Sequence, residues 1–99
     1  MDALSHIFPL DKGLMLNVLY DTLEKVGFYL EKANSARGTL IVISSSKESR
    51  RMRIACESSI TENKSIVRIF PEITDDTGHQ IAKKLMEAIL TTVHSSIKN

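Results

Sequence analysis

Ninety-nine residues, 42% of them apolar and 25% charged, are enough for one domain with its own core and too few for two. The formal net charge is +1, so no bulk field draws the chain to nucleic acid or membrane, and any electrostatic partner must meet a local patch. A single cysteine excludes an internal disulfide, and no apolar run approaches the roughly 20 residues of a membrane-spanning helix. The opening Met1-Asp2-Ala3-Leu4-Ser5-His6 has neither a basic stretch nor a long apolar one, so no signal peptide is expected and a cytoplasmic protein is.

Residues 1–10 read as an N-terminal arm of a single domain spanning 1–99, with Ile7, Phe8 and Leu10 able to pack ahead of the first helix. Asp11 is the expected N-cap of that helix. Met15, Val18, Leu19, Thr22, Leu23 and Val26 then recur at steps of three and four, which is one helical face. Gly27 is the expected stop, because glycine takes the left-handed conformation without a Cβ clash.

Four strands are expected next. Phe28 to Asn34 leads into a turn over Asn34–Gly38, and Thr39 to Ser45 is apolar without alternation, as a central strand is. Arg50 to Ser58 alternates, with Met52, Ile54 and Cys56 on one face and Arg51, Arg53 and Glu57 on the other. A turn over Thr61–Lys64 leads to Ser65–Phe70, which Pro71 ends. The last helix follows Asp75-Asp76-Thr77, with Thr77 and Gln80 at capping-box spacing. Ile81, Leu85, Ile89 and Val93 form its stripe, and Lys98 suits its negative end.

The expected fold is therefore α+β: helix, four-stranded antiparallel meander, helix, with both helices on one face of the sheet. The other face is open. If Met52, Ile54 and Cys56 point to the helices, that face carries Arg51, Arg53, Ile66, Arg68 and Phe70. Tyr29 and Glu31 join them, with either Ile41 and Ile43 or Leu40 and Val42. Arginines among aliphatic and aromatic side chains fit a binding or dimer surface. The pattern also fits a half-wet sheet whose arginines pair with Glu31 and Glu57. A second basic feature is Lys47-Glu48-Ser49-Arg50-Arg51-Met52-Arg53, with Arg37 and Lys64 nearby, which can meet anionic lipid headgroups or simply stay solvated.

Catalytic signatures are absent from the sequence. His6, His79 and His94 are scattered, and Cys56 alternates with core residues. There is no nucleophile elbow, no glycine-rich phosphate loop and no Cys-x-x-Cys pair, so neither an enzyme nor a cofactor or metal site is expected. The candidate partner-binding residues are Arg50, Arg51, Arg53, Arg68, Phe70 and Tyr29. The partner is expected to be a protein, with a second copy making a homodimer, or anionic phospholipid. A nucleic acid met by Arg51, Arg53 and Arg68 beside Phe70 and Tyr29 is the alternative, and a small ligand held between helices and sheet is a third reading.

Four strings carry a family resemblance. Leu23-Glu24-Lys25-Val26-Gly27-Phe28-Tyr29-Leu30-Glu31-Lys32 is similar to the helix-to-strand step of the C-terminal kinase-associated domain of checkpoint and microtubule-affinity-regulating kinases. The strands Arg51–Glu57 and Ile66–Phe70, and the helix Ile81–Leu90, fill the places that follow in that family. The resemblance spans about residues 14–93. It implies a non-catalytic module that binds acidic phospholipid or a kinase domain through basic residues, here Arg50, Arg51 and Arg53. The chain departs from that family at Asp75–Ile81, where the displaced glycine and a missing aromatic open the last helix. A double-stranded-RNA-binding fold fits less well, because Lys83-Lys84 fall inside the helix and there is a strand too many.

Overall fold

The computed structural model describes residues 4–45, 49–59 and 63–98, with side chains described as far as Ser95. Its elements in chain order are β1 (Leu4–Phe8), α1 (Lys12–Val26), β2 (Tyr29–Asn34), β3 (Thr39–Ile43), β4 (Arg51–Ser58), β5 (Ser65–Pro71) and α2 (Asp76–Lys98). The strands form one antiparallel sheet in the order β1-β5-β4-β3-β2. The expected meander of four strands is present as β2 to β5. The N-terminal arm is not a loose arm but a fifth strand, which pairs with β5 from Leu4↔Ile69 to Phe8↔Ser65.

The reason for that correction is burial. Phe8 is 1% exposed and belongs to the core, whereas Ile7, its neighbour on the strand, is 60% exposed on the other side. Alternation over so short a segment is hard to separate from a helix-entry staple by sequence. The unpaired edge of β5 gives the segment a ladder to complete. Ser65 Oγ also donates to the Leu10 carbonyl at 2.7 Å, tying the exit of β1 to the start of β5.

Both helices lie on one face of the sheet. The helix-facing residues of the three central strands, Leu40, Val42, Met52, Ile54, Cys56, Val67 and Ile69, are all buried against Met15, Leu19 and Leu23 of α1 and Leu85, Ile89 and Val93 of α2. Full burial of such side chains contributes about 1.5–3 kcal/mol each, so this single layer supplies most of the folding drive. Where the helices meet, Thr22 Oγ1 lies 2.7 Å from the Val18 carbonyl and 2.9 Å from Thr92 Oγ1, which lies 3.0 Å from the Ala88 carbonyl. Each hydroxyl can thus return its proton to its own helix or donate across the seam, and neither is left unpaired in the core.

The caps of α1 match the sequence expectation. Asp11 accepts a hydrogen bond from the Leu14 N–H at 2.9 Å, and Gly27 adopts φ 75° while its N–H donates to the Glu24 carbonyl. The cap of α2 does not. Asp75, not Thr77, takes the N-cap place and accepts from the Gly78 N–H at 2.8 Å, so the helix starts at Asp76. The carboxylate two residues earlier outcompetes the hydroxyl because it also pairs with Arg50. Gly38 is required by the β2–β3 turn. It has φ 75°, and a Cβ there would collide with the Cys56 carbonyl of β4 and with Lys12 Cε.

Because Phe8 is buried by the fifth strand, Phe8→Ala is expected to lower unfolding free energy by about 3 kcal/mol or more, measured by urea denaturation. Ile7→Ala on the same strand should cost less than about 1 kcal/mol. Equal losses at the two positions would contradict the pairing of β1.

Candidate functional site

The uncovered face of the sheet can be read row by row from the strand register. One row runs Tyr29, Ile43, Arg51; the next runs Lys32, Ile41, Arg53, Phe70; the third runs Asn34, Thr39, Ala55, Arg68, Ser5. Glu57, Ile66 and Ile7 close the far end. This settles the choice on β3: Ile41 and Ile43 face outward, and Leu40 and Val42 inward.

Five of the six candidate residues stand on this face. Arg51, Arg53, Arg68, Phe70 and Tyr29 are there, but they are not one cluster. Tyr29 stands on β2 and Phe70 on β5, with two strands between them. Arg50 is the exception. It lies just before β4 with the parity of Met52, so it turns toward the helix layer. There its Nη1 contacts both carboxylate oxygens of Asp75, at 2.9 and 3.0 Å. Asp75 is held below the usual carboxylate range, first by the Gly78 N–H and then by Arg50. Arg50 therefore helps anchor the start of α2. Lys47 and Glu48, placed in the same basic turn by sequence, lie outside the described residues, as do Thr61, Glu62 and the side chain of Lys98.

The three arginines of the open face differ in how they are neutralised. Arg51 makes a two-pronged contact with Glu31 (Nε–Oε1 3.0 Å, Nη2–Oε2 2.9 Å) and a third, at 3.4 Å, with Glu72. Arg68 pairs with Glu57 at 2.8 Å. Arg53 has no carboxylate among the described residues. Its guanidinium lies over the Phe70 ring, 4.3 Å from the centroid, as their direct cross-strand pairing allows. Glu31 and Glu57 thus neutralise two of the arginines, as a half-wet sheet would have it, and Arg53 is left without a carboxylate partner among the described residues.

Beside Arg53 the face is concave. A groove of about 890 Å³ is lined by Lys32, Ala33, Asn34, Arg37, Thr39, Ile41, Arg53, Ala55 and Glu57. Lys32 was not singled out by sequence. Strict alternation from Tyr29 and Glu31 would point it to the helices. A bulge between Leu30 and Lys32 adds one residue, so Lys32 pairs with Ile41 and joins the open face. Nothing in Tyr29-Leu30-Glu31-Lys32 marks that bulge, since it holds no glycine.

A second cleft, about 340 Å³, opens between helices and sheet and is lined by Val26, Phe28, Ser44, Ser45, Ile81, Lys84 and Leu85. Cys56 is fully buried, and burial pushes its thiol pKa up, which keeps it protonated and unreactive at neutral pH. Among the described residues no three His, Cys, Asp or Glu side chains gather as a metal site, and no helix is long and apolar enough to cross a membrane.

No protein-family model matches the chain, and no curated protein does. Among solved structures it is similar to that of Ara h 8.0201, with a TM-score of 0.49 and 11% identity over 98% of this chain and 97% of that one. At that level the likeness bears on neither ancestry nor activity.

The Arg50–Asp75 contact gives a pH prediction. Asp75 has a depressed pKa in the folded state, so its contribution is present above the unfolded carboxylate value and is lost as pH falls through the folded value. Asp75→Ala should lower the melting temperature at neutral pH, and the gap to wild type should close below about pH 4. A gap that persists undiminished at lower pH would assign the loss to something other than the ionised carboxylate.

Proposed function

We propose that the protein is a non-catalytic interaction module whose open sheet face binds a partner protein, a second copy of the chain included. The observation that carries this reading is the surface around Arg53. A guanidinium with no carboxylate partner among the described residues sits on an aromatic ring, beside a groove, on a face that neither helix covers. Arginine and aromatic side chains in that arrangement are what protein interfaces concentrate at their centres. The resemblance to the kinase-associated domain points to the same class of module.

The distribution of charge favours a protein over nucleic acid or an anionic membrane. Glu31, Glu57 and Glu72 stand among the arginines and neutralise two of them. A phosphate backbone carries a charge about every 3.4 Å per strand, and laid across this face it would meet those carboxylates. The separation of Tyr29 from Phe70 also removes the paired stacking platform that a single strand would use.

Affinity capture with three forms of the full chain tests the reading: wild type, Phe70→Asp on the open face, and Glu87→Lys on the helix surface. A partner retained by Glu87→Lys and lost with Phe70→Asp is expected. If the partner is a second copy, sedimentation velocity should show a dimer that Phe70→Asp dissolves. Binding and self-association that both ignore the face substitution would refute it.

The cleft lined by Val26, Phe28, Ile81 and Leu85 favours a second reading, carriage of a small apolar ligand, since its volume falls within the usual range for such sites. A thermal-shift screen in which apolar acids raise the melting temperature, and Lys84→Ala removes the rise, would support it.

A further inference from the structure

The open face carries two concavities, and Arg53 is common to both. On one side lies the groove of about 890 Å³ with Lys32 and Arg37, neither of which has a carboxylate partner among the described residues. On the other side lies a smaller cleft of about 220 Å³, lined by Ile41, Arg53, Phe70 and Pro71 with Arg51, Met52 and Glu72 at its edge. Ile41 and Arg53 belong to both, so the two are continuous. The register places Lys32, Ile41, Arg53 and Phe70 in one row across four strands. The row therefore alternates cation and apolar group, and Phe70 with Pro71 closes the end away from Lys32.

On the open face, among the described residues, the cations without a carboxylate partner lie along that row and its turn. The nearby carboxylates are already committed: Glu57, which lines the groove, to Arg68, and Glu31 and Glu72 to Arg51. An occupant must bring negative charges over Lys32, Arg37 and Arg53, an apolar group at the Phe70–Pro71 end, and a width that avoids the glutamates. A membrane surface is too flat and too wide for this, and a nucleic acid has no apolar end. The row spans three strand spacings, roughly 14 Å, which about four extended residues cover.

We propose that this row takes an acidic, extended segment of a partner protein, with its carboxylates over Lys32, Arg37 and Arg53 and an apolar side chain against Ile41, Phe70 and Pro71. This deepens the open-face reading above and depends on it. The segment lies across the strands rather than adding to the sheet edge, because every group that recognises it is a side chain on the face. Its attraction is long-ranged and screened, so both rate and affinity should fall with salt.

The test is fluorescence anisotropy of a short labelled peptide in which a run of glutamates precedes a leucine, titrated with the full chain. Saturable binding that weakens as sodium chloride rises is expected. Arg53→Glu should weaken it by about tenfold or more, and Arg53→Gln by less. Lys83→Glu, the same reversal of charge as Arg53→Glu but on an exposed helix surface, should leave affinity within about twofold. Replacing the peptide leucine with serine should also weaken binding. Circular dichroism of each variant confirms its fold, and the exposed side chains make that outcome expected. Absence of saturable binding, or an equal loss with Lys83→Glu, overturns the proposal. So does tighter binding of an RNA oligonucleotide or of phosphatidylserine vesicles than of the peptide. If capture yields a partner that depends on Phe70 while the acidic peptide fails to bind, the open-face reading stands and this inference alone falls.

Discussion

Everything in this structure depends on the one-sided burial of the sheet. Leu40, Val42, Met52, Ile54, Cys56, Val67 and Ile69 turn to the same side, and the stripes of α1 and α2 close over them. Two helices are just enough to cover five strands once. Nothing remains in the described chain to cover the reverse, so the alternating residues of β4 and β5 decide what solvent, or a partner, meets. Strand alternation has a period of two, so a register slip by one residue would exchange the two sets entirely. The long pairing of β4 with β5, from Met52↔Pro71 to Ser58↔Ser65, is what fixes the arginines outward.

The reverse face is not a uniform basic surface. Its ion pairs are exposed, and contacts of that kind contribute little to stability. Their larger effect is on the electrostatic pattern. With Arg51 and Arg68 paired to local glutamates, the sheet leaves positive charge along a single row, that of Lys32 and Arg53, where Arg53 lies over an aromatic ring. Such confinement discriminates among partners by where their charges lie rather than by how many they carry. Arg50 illustrates the opposite use of a cation, since its pairing with Asp75 serves the start of α2 and removes it from the surface.

Much of this was legible in the sequence, for physical reasons. The stripe spacing of both helices, the Asp11 cap, the Gly27 stop and the alternation of Arg51–Glu57 are local signals, and each stands in the structure where expected. What was not legible depended on contacts distant in sequence. β1 is a strand only because β5 offers a free edge, and Leu4–Phe8 alone does not say so. The bulge before Lys32 comes from the fit of β2 to β3. The N-cap of α2 lies at Asp75 because Arg50, twenty-five residues earlier, reaches it. On the candidate site, alternation placed Arg51, Arg53, Arg68 and Phe70 correctly on one face, but it could not show which arginines would find glutamates.

The sidedness of β4 can be measured at two adjacent residues. Cys56 is buried on the helix side, and Ala55 lies beside it on the open face. In Ala55→Cys, which carries both thiols, Ellman's reagent at neutral pH should titrate one thiol at once and the second only on addition of denaturant. Two thiols that react together, fast or slow, would mean that the two faces of this strand are not differently covered, and the account of an open binding surface would be wrong.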